Sequence, residues 1–170
     1  MPDRVDAPGL TERVIGELIE RSLTIVAAES LTGGELVAEL TRVAGASATV
    51  LGGAVVYATA LKHSLLGVDQ GLLDAHGPVH PEVALQLARG VRERLAVEGR
   101  AADVGLSTTG VAGPDGQGGR SPGTVFVGVS VGARTRVVEL ALSGSRAEIR
   151  RQTVTRAIEE LAKELGISLM

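Results

Sequence analysis

Two hydrophobic periods alternate along this chain, and that alternation constrains its fold more than any other feature. The runs "TIVAA" (residues 24–28), "LGGAVVYA" (51–58) and "DVGLSTT" (103–109) are short, apolar and of strand length. Between them, apolar residues recur at helical intervals. Val14, Ile15, Leu18 and Ile19 mark a helix over residues 11–22. Leu36, Val37, Leu40 and Val43 mark one over 33–43, and residues 60–66 a shorter one. A loop with Gly67, Gly71 and Gly77 follows. Pro81 then opens a long helix whose inner face carries Val83, Leu87, Val91 and Leu95. Proline suits the first helical position because its missing N–H would have no partner there.

The pattern then changes. "TVFVGVSV" alternates, with Val125, Val127, Val129 and Val131 on one face. A Gly132-Ala133 turn leads to "TRVVELAL", which predicts an antiparallel hairpin. A last helix, over 145–165, carries Ile149, Val154, Ile158, Leu161 and Leu165. Alternating strands and helices followed by a hairpin predict a three-layer α/β/α sandwich with a mixed, mostly parallel sheet. The 170 residues fit a single domain, with residues 1–9 as a flexible arm.

Composition removes several function classes. A net charge of −3 gives no footprint for nucleic acid, and two aromatics, Tyr57 and Phe126, make no stacking platform. With no cysteine, disulfides and thiolate chemistry are excluded. No apolar stretch reaches the ~20 residues of a membrane span, and the first ten residues lack a secretory h-region. A cytoplasmic protein without a membrane partner is the expectation.

Ligands of open α/β sheets bind beyond the carboxyl ends of the strands. Here those ends carry Glu29-Ser30, residues 57–62 and Thr108-Thr109. If the three strands are parallel neighbours, Ser30, Lys62 and Thr109 converge. The knot "ESLTGG" places Ser30 at a strand-to-helix turn, with the N–H groups of Thr32, Gly33 and Gly34 at the helix start. Such N–H groups suit an anion or a developing oxyanion. Equally, Ser30 or Thr32 is simply an N-cap.

Only two of the 17 basic residues are lysine, Lys62 and Lys163. Lysine can lose its charge when desolvated; arginine cannot. Lys62 is therefore either a surface residue or a base for a serine nucleophile, as in Ser-Lys hydrolases. The histidines, His63, His76 and His80, have no orienting carboxylate by sequence, and His80 before Pro81 reads as an N-cap. The loop "GVAGPDGQGGRSPG" has six glycines, Gly113 and Gly116 among them. It is either a backbone cradle for phosphate or a flexible surface loop. It is not a P-loop, since no Gly-Lys-Ser/Thr follows. Tyr57 at a strand end either lies against a ligand or is ordinary half-buried packing. Arg146 and Arg150 either reach a phosphate or form a solvated face. Asp115 alone is no metal site, and no metal cluster is apparent.

The segments "AESLTGG" (28–34), "GGAVVYATALKHSLLGV" (52–68), "GPVHPEVA" (77–84), "TGVAGPDG" (109–116) and "SPGTVFVGV" (121–129) together resemble one family, in its order and spacing. It is the C-terminal domain of the CinA (competence/damage-inducible) proteins, equivalent to stand-alone nicotinamide-nucleotide amidohydrolases of the PncC type. The resemblance runs from about residue 18 to residue 165. It departs at Leu31, where many members have Cys, at His80, where Ser is frequent, and at Ser145, in "GSR" for a common Gly-Asp-Arg.

The resemblance implies hydrolysis of the carboxamide of nicotinamide mononucleotide, giving nicotinic acid mononucleotide and ammonia. It implies Ser30 as nucleophile, Lys62 as the assisting base and Thr109 as a hydroxyl partner. It implies no metal, no cofactor and a homodimer. The expected substrate contacts are Thr32, Gly33, Gly34, Tyr57, Gly113, Gly116 and Arg146. Two alternatives stand beside it: a non-catalytic pyridine-nucleotide-binding module, and an amidohydrolase for a related nucleotide.

Overall fold

The structure, a computed structural model, describes residues 9–170. The expected arm at residues 1–9 lies outside the described residues apart from Gly9. In chain order the elements are α1 (Leu10–Glu20), β1 (Ile25–Glu29), α2 (Glu35–Arg42), β2 (Val50–Val55), α3 (Thr59–Leu66), α4 (Gln70–His76) and α5 (Pro81–Arg94). They continue with β3 (Val104–Gly110), β4 (Thr124–Val131), β5 (Arg134–Ala141) and α6 (Arg146–Glu164). The five strands form one sheet in the order β2-β1-β3-β4-β5. β1 pairs in parallel with β2 and β3, and β3, β4 and β5 pair antiparallel. The sheet is mixed, as predicted, with the two kinds of pairing in equal number.

Side-chain alternation along β1 sorts the core into two layers. Ile25 and Ala27 face α1, α2 and α6, packing with Val14, Leu18, Leu36, Leu40, Ile149 and Ile158. Val26 and Ala28 face α3, α4 and α5, packing with Leu66, Leu73, Val83, Leu87 and Val91. Small residues let these layers sit close. A Cβ on Gly105 of β3 would stand 2.0 Å from the Ala88 carbonyl oxygen of α5. A Cβ on Gly90 of α5 would stand 2.0 Å from the Leu66 carbonyl oxygen of α3. Glycine at both positions therefore presses α5 onto the sheet and α3 onto α5. This matters to function because α3 carries Lys62.

Three boundaries differ from expectation. The predicted glycine loop after residue 66 contains α4. Its start is capped by Asp69, whose carboxylate accepts from the Leu72 N–H at 2.7 Å, and Leu73 anchors it in the core. Capping and one buried leucine outweigh the low helix propensity of Gly71. Helix α2 begins at Glu35, because Gly33 and Gly34 have φ of 59° and 107°, outside the helical region. Strand β2 ends at Val55, so Val56 and Tyr57 leave the sheet and turn their carbonyls toward α3.

His80 caps α5, as its position before Pro81 predicts: Nδ1 accepts from the Glu82 N–H at 3.1 Å. A ring nitrogen accepts only while unprotonated. Burial, the His76 ring and Arg120 hold His80 below the ordinary histidine range, against the opposing pull of Glu82. Its folded pKa is thus lower than its unfolded one. The unfolded chain takes up the proton first, so this contribution to stability is complete above about pH 6.5 and is lost as pH falls below it. His80→Ser keeps a capping oxygen but no titrating ring. Thermal unfolding between about pH 7 and pH 5 should show a smaller fall in Tm for His80→Ser than for the wild type. Parallel profiles would remove His80 as a source of the pH dependence.

Candidate active site

The three strand ends predicted to converge do so. Glu29 of β1 is in register with Val55 of β2, and Ala28 with Ser107 of β3, so Ser30, Tyr57 and Thr109 share one edge of the sheet. Ser30 follows β1 directly and is 8% exposed. Lys62 points inward from α3, and its side chain is 0% exposed. Its Nζ lies 3.0 Å from Ser30 Oγ, 2.6 Å from the Val56 carbonyl oxygen and 3.4 Å from that of Tyr57. No carboxylate is among these partners. Burial without a counter-charge disfavours the ammonium, and the pKa of Lys62 falls from 10.5 to about 8. A neutral amine has two hydrogens and one lone pair. With the hydrogens on the two carbonyls, the lone pair faces the Ser30 hydroxyl.

Beside this pair lies a cleft of about 160 Å³ whose walls include Ser30, Leu31, Lys62, Thr109, Gly113 and Arg146. Thr109 donates its hydroxyl hydrogen to the Pro78 carbonyl at 2.7 Å, which leaves its oxygen lone pairs toward the cleft. Arg146, at the start of α6, donates to the Gly113 carbonyl at 2.7 Å and to the Tyr57 hydroxyl at 3.1 Å. Both partners are uncharged, so neither offsets the guanidinium's charge at the cleft wall. Tyr57 is 61% exposed and forms the outer lip. The glycine-rich loop is tied by backbone bonds between Gln117 and Arg120 and between Gly123 and Val111. Gly113 lines the cleft; Gly116 does not, packing instead against the Arg120 carbonyl. No histidine lines the cleft. His63 Nδ1 bonds the Val68 carbonyl oxygen at 2.8 Å. Among the described residues no group of His, Asp and Glu is placed to hold a metal.

Thr32, Gly33 and Gly34 stand behind the cleft rather than in it. Thr32 is fully buried and pairs its hydroxyl with that of Thr108 at 2.9 Å. The Gly33 N–H donates to the Ser30 carbonyl, and the Gly34 N–H to the Glu29 carboxylate. Their N–H groups are therefore spent. The N–H groups of Ser30, Leu31 and Thr32 have no hydrogen-bond partner among the described residues, and Ser30 and Leu31 line the cleft. Arg150, open on sequence between a phosphate contact and a solvated face, instead holds the turn after Ser30. It donates to the Leu31 carbonyl at 2.9 Å and the Thr32 carbonyl at 3.3 Å, and pairs with Glu35 at 2.8 Å. Sequence reasoning assigned no task to Glu29, although a carboxylate at the end of an apolar strand was itself the signal.

The chain matches the CinA C-terminal domain over residues 8–165. It belongs to the CinA C-terminal domain family. A CinA-like protein of Frankia casuarinae is 45% identical over 153 residues, 90% of this chain and 34% of that protein. A putative competence-damage inducible protein of Bacillus subtilis is 44% identical over 133 residues, 78% of this chain and 31% of that protein. The chain thus spans about a third of the length of these curated relatives. The crystal structure of a CinA superfamily protein from Enterobacter cloacae superposes with a TM-score of 0.88 at 26% identity, covering 97% of this chain and 95% of that one. A competence/damage inducible protein from Agrobacterium tumefaciens gives 0.85 at 33% identity, covering 95% and 96%. Among the described residues no helix is long and apolar enough to cross a membrane.

The buried amine of this CinA-family chain makes a stability prediction independent of any substrate. Its folded pKa is below its unfolded value, so between about 8 and 10.5 the folded protein is neutral there while the unfolded chain is still charged. Stability must rise with pH across that window. Lys62→Met removes the titration. The urea-unfolding free energy of the wild type, minus that of Lys62→Met, should increase by roughly 2 kcal/mol from about pH 7 to about pH 10. A constant difference would mean that Lys62 titrates like a solvated lysine.

Proposed function

We propose that this chain hydrolyses the carboxamide of nicotinamide mononucleotide, releasing nicotinic acid mononucleotide and ammonia. The observation that carries this reading is a fully buried amine 3.0 Å from a serine hydroxyl, with carbonyls placed to take its hydrogens. In the proposed first step Lys62 Nζ takes the Ser30 Oγ proton as Oγ bonds to the amide carbon. The oxyanion forms beside the N–H groups of Ser30 and Leu31, cleft-lining residues whose donors are left without partners. The C–N bond then breaks, and the proton on Nζ passes to the departing nitrogen, which leaves as ammonia. Water attacks the resulting ester, giving its proton to Nζ. The acyl–oxygen bond breaks, Ser30 recovers that proton, and the product acid gives its remaining proton to solvent and departs as the carboxylate.

The remaining groups fit the same substrate. The Thr109 hydrogen is committed to Pro78, so its oxygen acts as an acceptor, suited to an amide N–H. Such a bond would orient the leaving nitrogen toward Lys62. Arg146, charged and without a carboxylate partner among the described residues, suits the substrate phosphate. The cationic pyridinium disfavours an ammonium nearby and so helps to keep Lys62 neutral.

Ammonia release from nicotinamide mononucleotide is the direct test. Ser30→Ala and Lys62→Met should each lower kcat by about a thousandfold or more while leaving the fold intact by circular dichroism. Because the base must be unprotonated, kcat/KM should rise with pH and level off above about 8. Near-wild-type turnover in either variant would remove the Ser-Lys mechanism. Tight binding of the mononucleotide by the wild type with no ammonia released would identify a binding module instead. Arg146→Ala should raise KM about tenfold or more with a smaller effect on kcat, the mark of a lost binding contact.

A further inference from the structure

One fully buried carboxylate has no part in the chemistry above. Glu29 is 0% exposed and sits directly before Ser30. Successive residues of a strand point to opposite faces. Ser30 turns toward the α3 layer and Lys62, whereas Glu29 turns toward α2. There its Oε2 accepts from the N–H groups of Gly34 and Leu36, both at 3.0 Å, and its Oε1 from that of Val37 at 2.8 Å. Helix α2 has no cap from its own N-cap residue, Gly34. The carboxylate of the preceding strand fills that role with a full charge, the favourable sign at a helix N-terminus.

We propose that Glu29 is the positioning residue of the Ser30 nucleophile. The proposal rests on the Ser-Lys reading of the site. The four residues between Ser30 and α2 are held at both ends and along one side. Glu29 fixes the helix start to the strand. Bonds from Gly33 N–H to the Ser30 carbonyl and from Glu35 N–H to the Thr32 carbonyl close the turns. Arg150 holds the Leu31 and Thr32 carbonyls from α6. Every N–H from Gly33 to Val37 except that of the helix's first residue, Glu35, goes to Glu29 or Ser30, and Glu35 goes to Thr32. Of this turn, the N–H groups of Ser30, Leu31 and Thr32 have no partner among the described residues, and those of Ser30 and Leu31 belong to cleft-lining residues. Glu29 thereby takes the anion site that a bare helix start would offer, and leaves one oxyanion site, next to Ser30 Oγ. Without its charge, α2 and the turn lose their fixed distance from the strand end, and Ser30 Oγ loses its register with Lys62 Nζ.

The test uses Glu29→Gln, which keeps the shape but turns an NH₂ donor toward backbone donors, and Glu29→Asp, which keeps the charge on a shorter arm. Asp69→Ala, which uncaps α4 outside the site, controls for stability alone. Ser30 reactivity is read by the rate of labelling with a fluorophosphonate, which needs no assumption about substrate. In folded Glu29→Gln, labelling and kcat for ammonia release should fall about a hundredfold, the scale of an ångström-sized misplacement. KM should stay within about threefold, since the proposed binding groups lie elsewhere, and the pH midpoint should stay near that of the wild type. Glu29→Asp should recover part of both rates. Labelling within about threefold of wild type in folded Glu29→Gln, or losses no larger than in an Asp69→Ala of matched Tm, would overturn the proposal. Should Glu29→Gln not fold, Glu29→Asp decides alone: unchanged labelling overturns the proposal, and a fall of about fivefold or more supports it. A wild type that labels at Ser30 but releases no ammonia would sink the substrate reading and leave the Glu29 comparison intact.

Discussion

An amine with no counter-charge, enclosed on all sides, is the constraint around which this structure is arranged. Lysine is rarely fully buried, and a desolvated ammonium without a carboxylate is costly. The fold offers Lys62 the Val56 and Tyr57 carbonyls and the Ser30 hydroxyl, all uncharged. That set satisfies a neutral amine and does little to stabilise a charged one. The depressed pKa is therefore a consequence of where α3 sits, and α3 sits there because Gly90 lets it lie against α5. The backbone spacing of two helices is in this way linked to the protonation state of one side chain.

Topology supplies the other half. Two parallel pairings bring the ends of β1, β2 and β3 to one edge. The early end of β2 at Val55 then frees two residues whose carbonyls would otherwise serve the sheet. The antiparallel strands β4 and β5 extend the sheet on the far side and carry none of the groups nearest Ser30. Their contribution is mechanical: Val125, Val127 and Val129 form the floor on which α6 rests. From α6, Arg146 reaches the cleft and Arg150 the turn after Ser30.

The strands and long helices were legible because each announced its period over several residues. The alternating valines of β4 and the apolar stripe of Val83, Leu87 and Val91 on α5 are of this kind. Helix α4 was not, because its evidence is one buried leucine and an aspartate cap, against three glycines nearby. The convergence of Ser30, Lys62 and Thr109 followed from topology and from family resemblance, but not from spacing, since 32 positions separate the first two. The N–H groups that remain free were not legible either. Which donors stay unpaired depends on Glu29 reaching five to eight residues ahead, and which acceptors are taken depends on Arg150 reaching back 119 and 118. A motif shows which residues are present but not which hydrogen bonds they have already made.

The basic residues carry the same lesson in their chemistry. A chain that uses arginine at nearly every cationic position keeps lysine at two. Lys163 lies at the surface, paired with Glu160, where an arginine would serve as well. Lys62 cannot be exchanged on the same grounds. An enclosed guanidinium would stay charged, since its pKa lies far above any reachable pH, and five donors could not be satisfied by two carbonyls and a hydroxyl. The site therefore requires the one basic side chain that burial can neutralise. Arg146, which must remain charged to hold an anion under the proposed chemistry, stands at the solvent-facing wall. The division between the two residue types follows depth in the cleft: charge that must persist near water, charge that must vanish beneath the sheet edge.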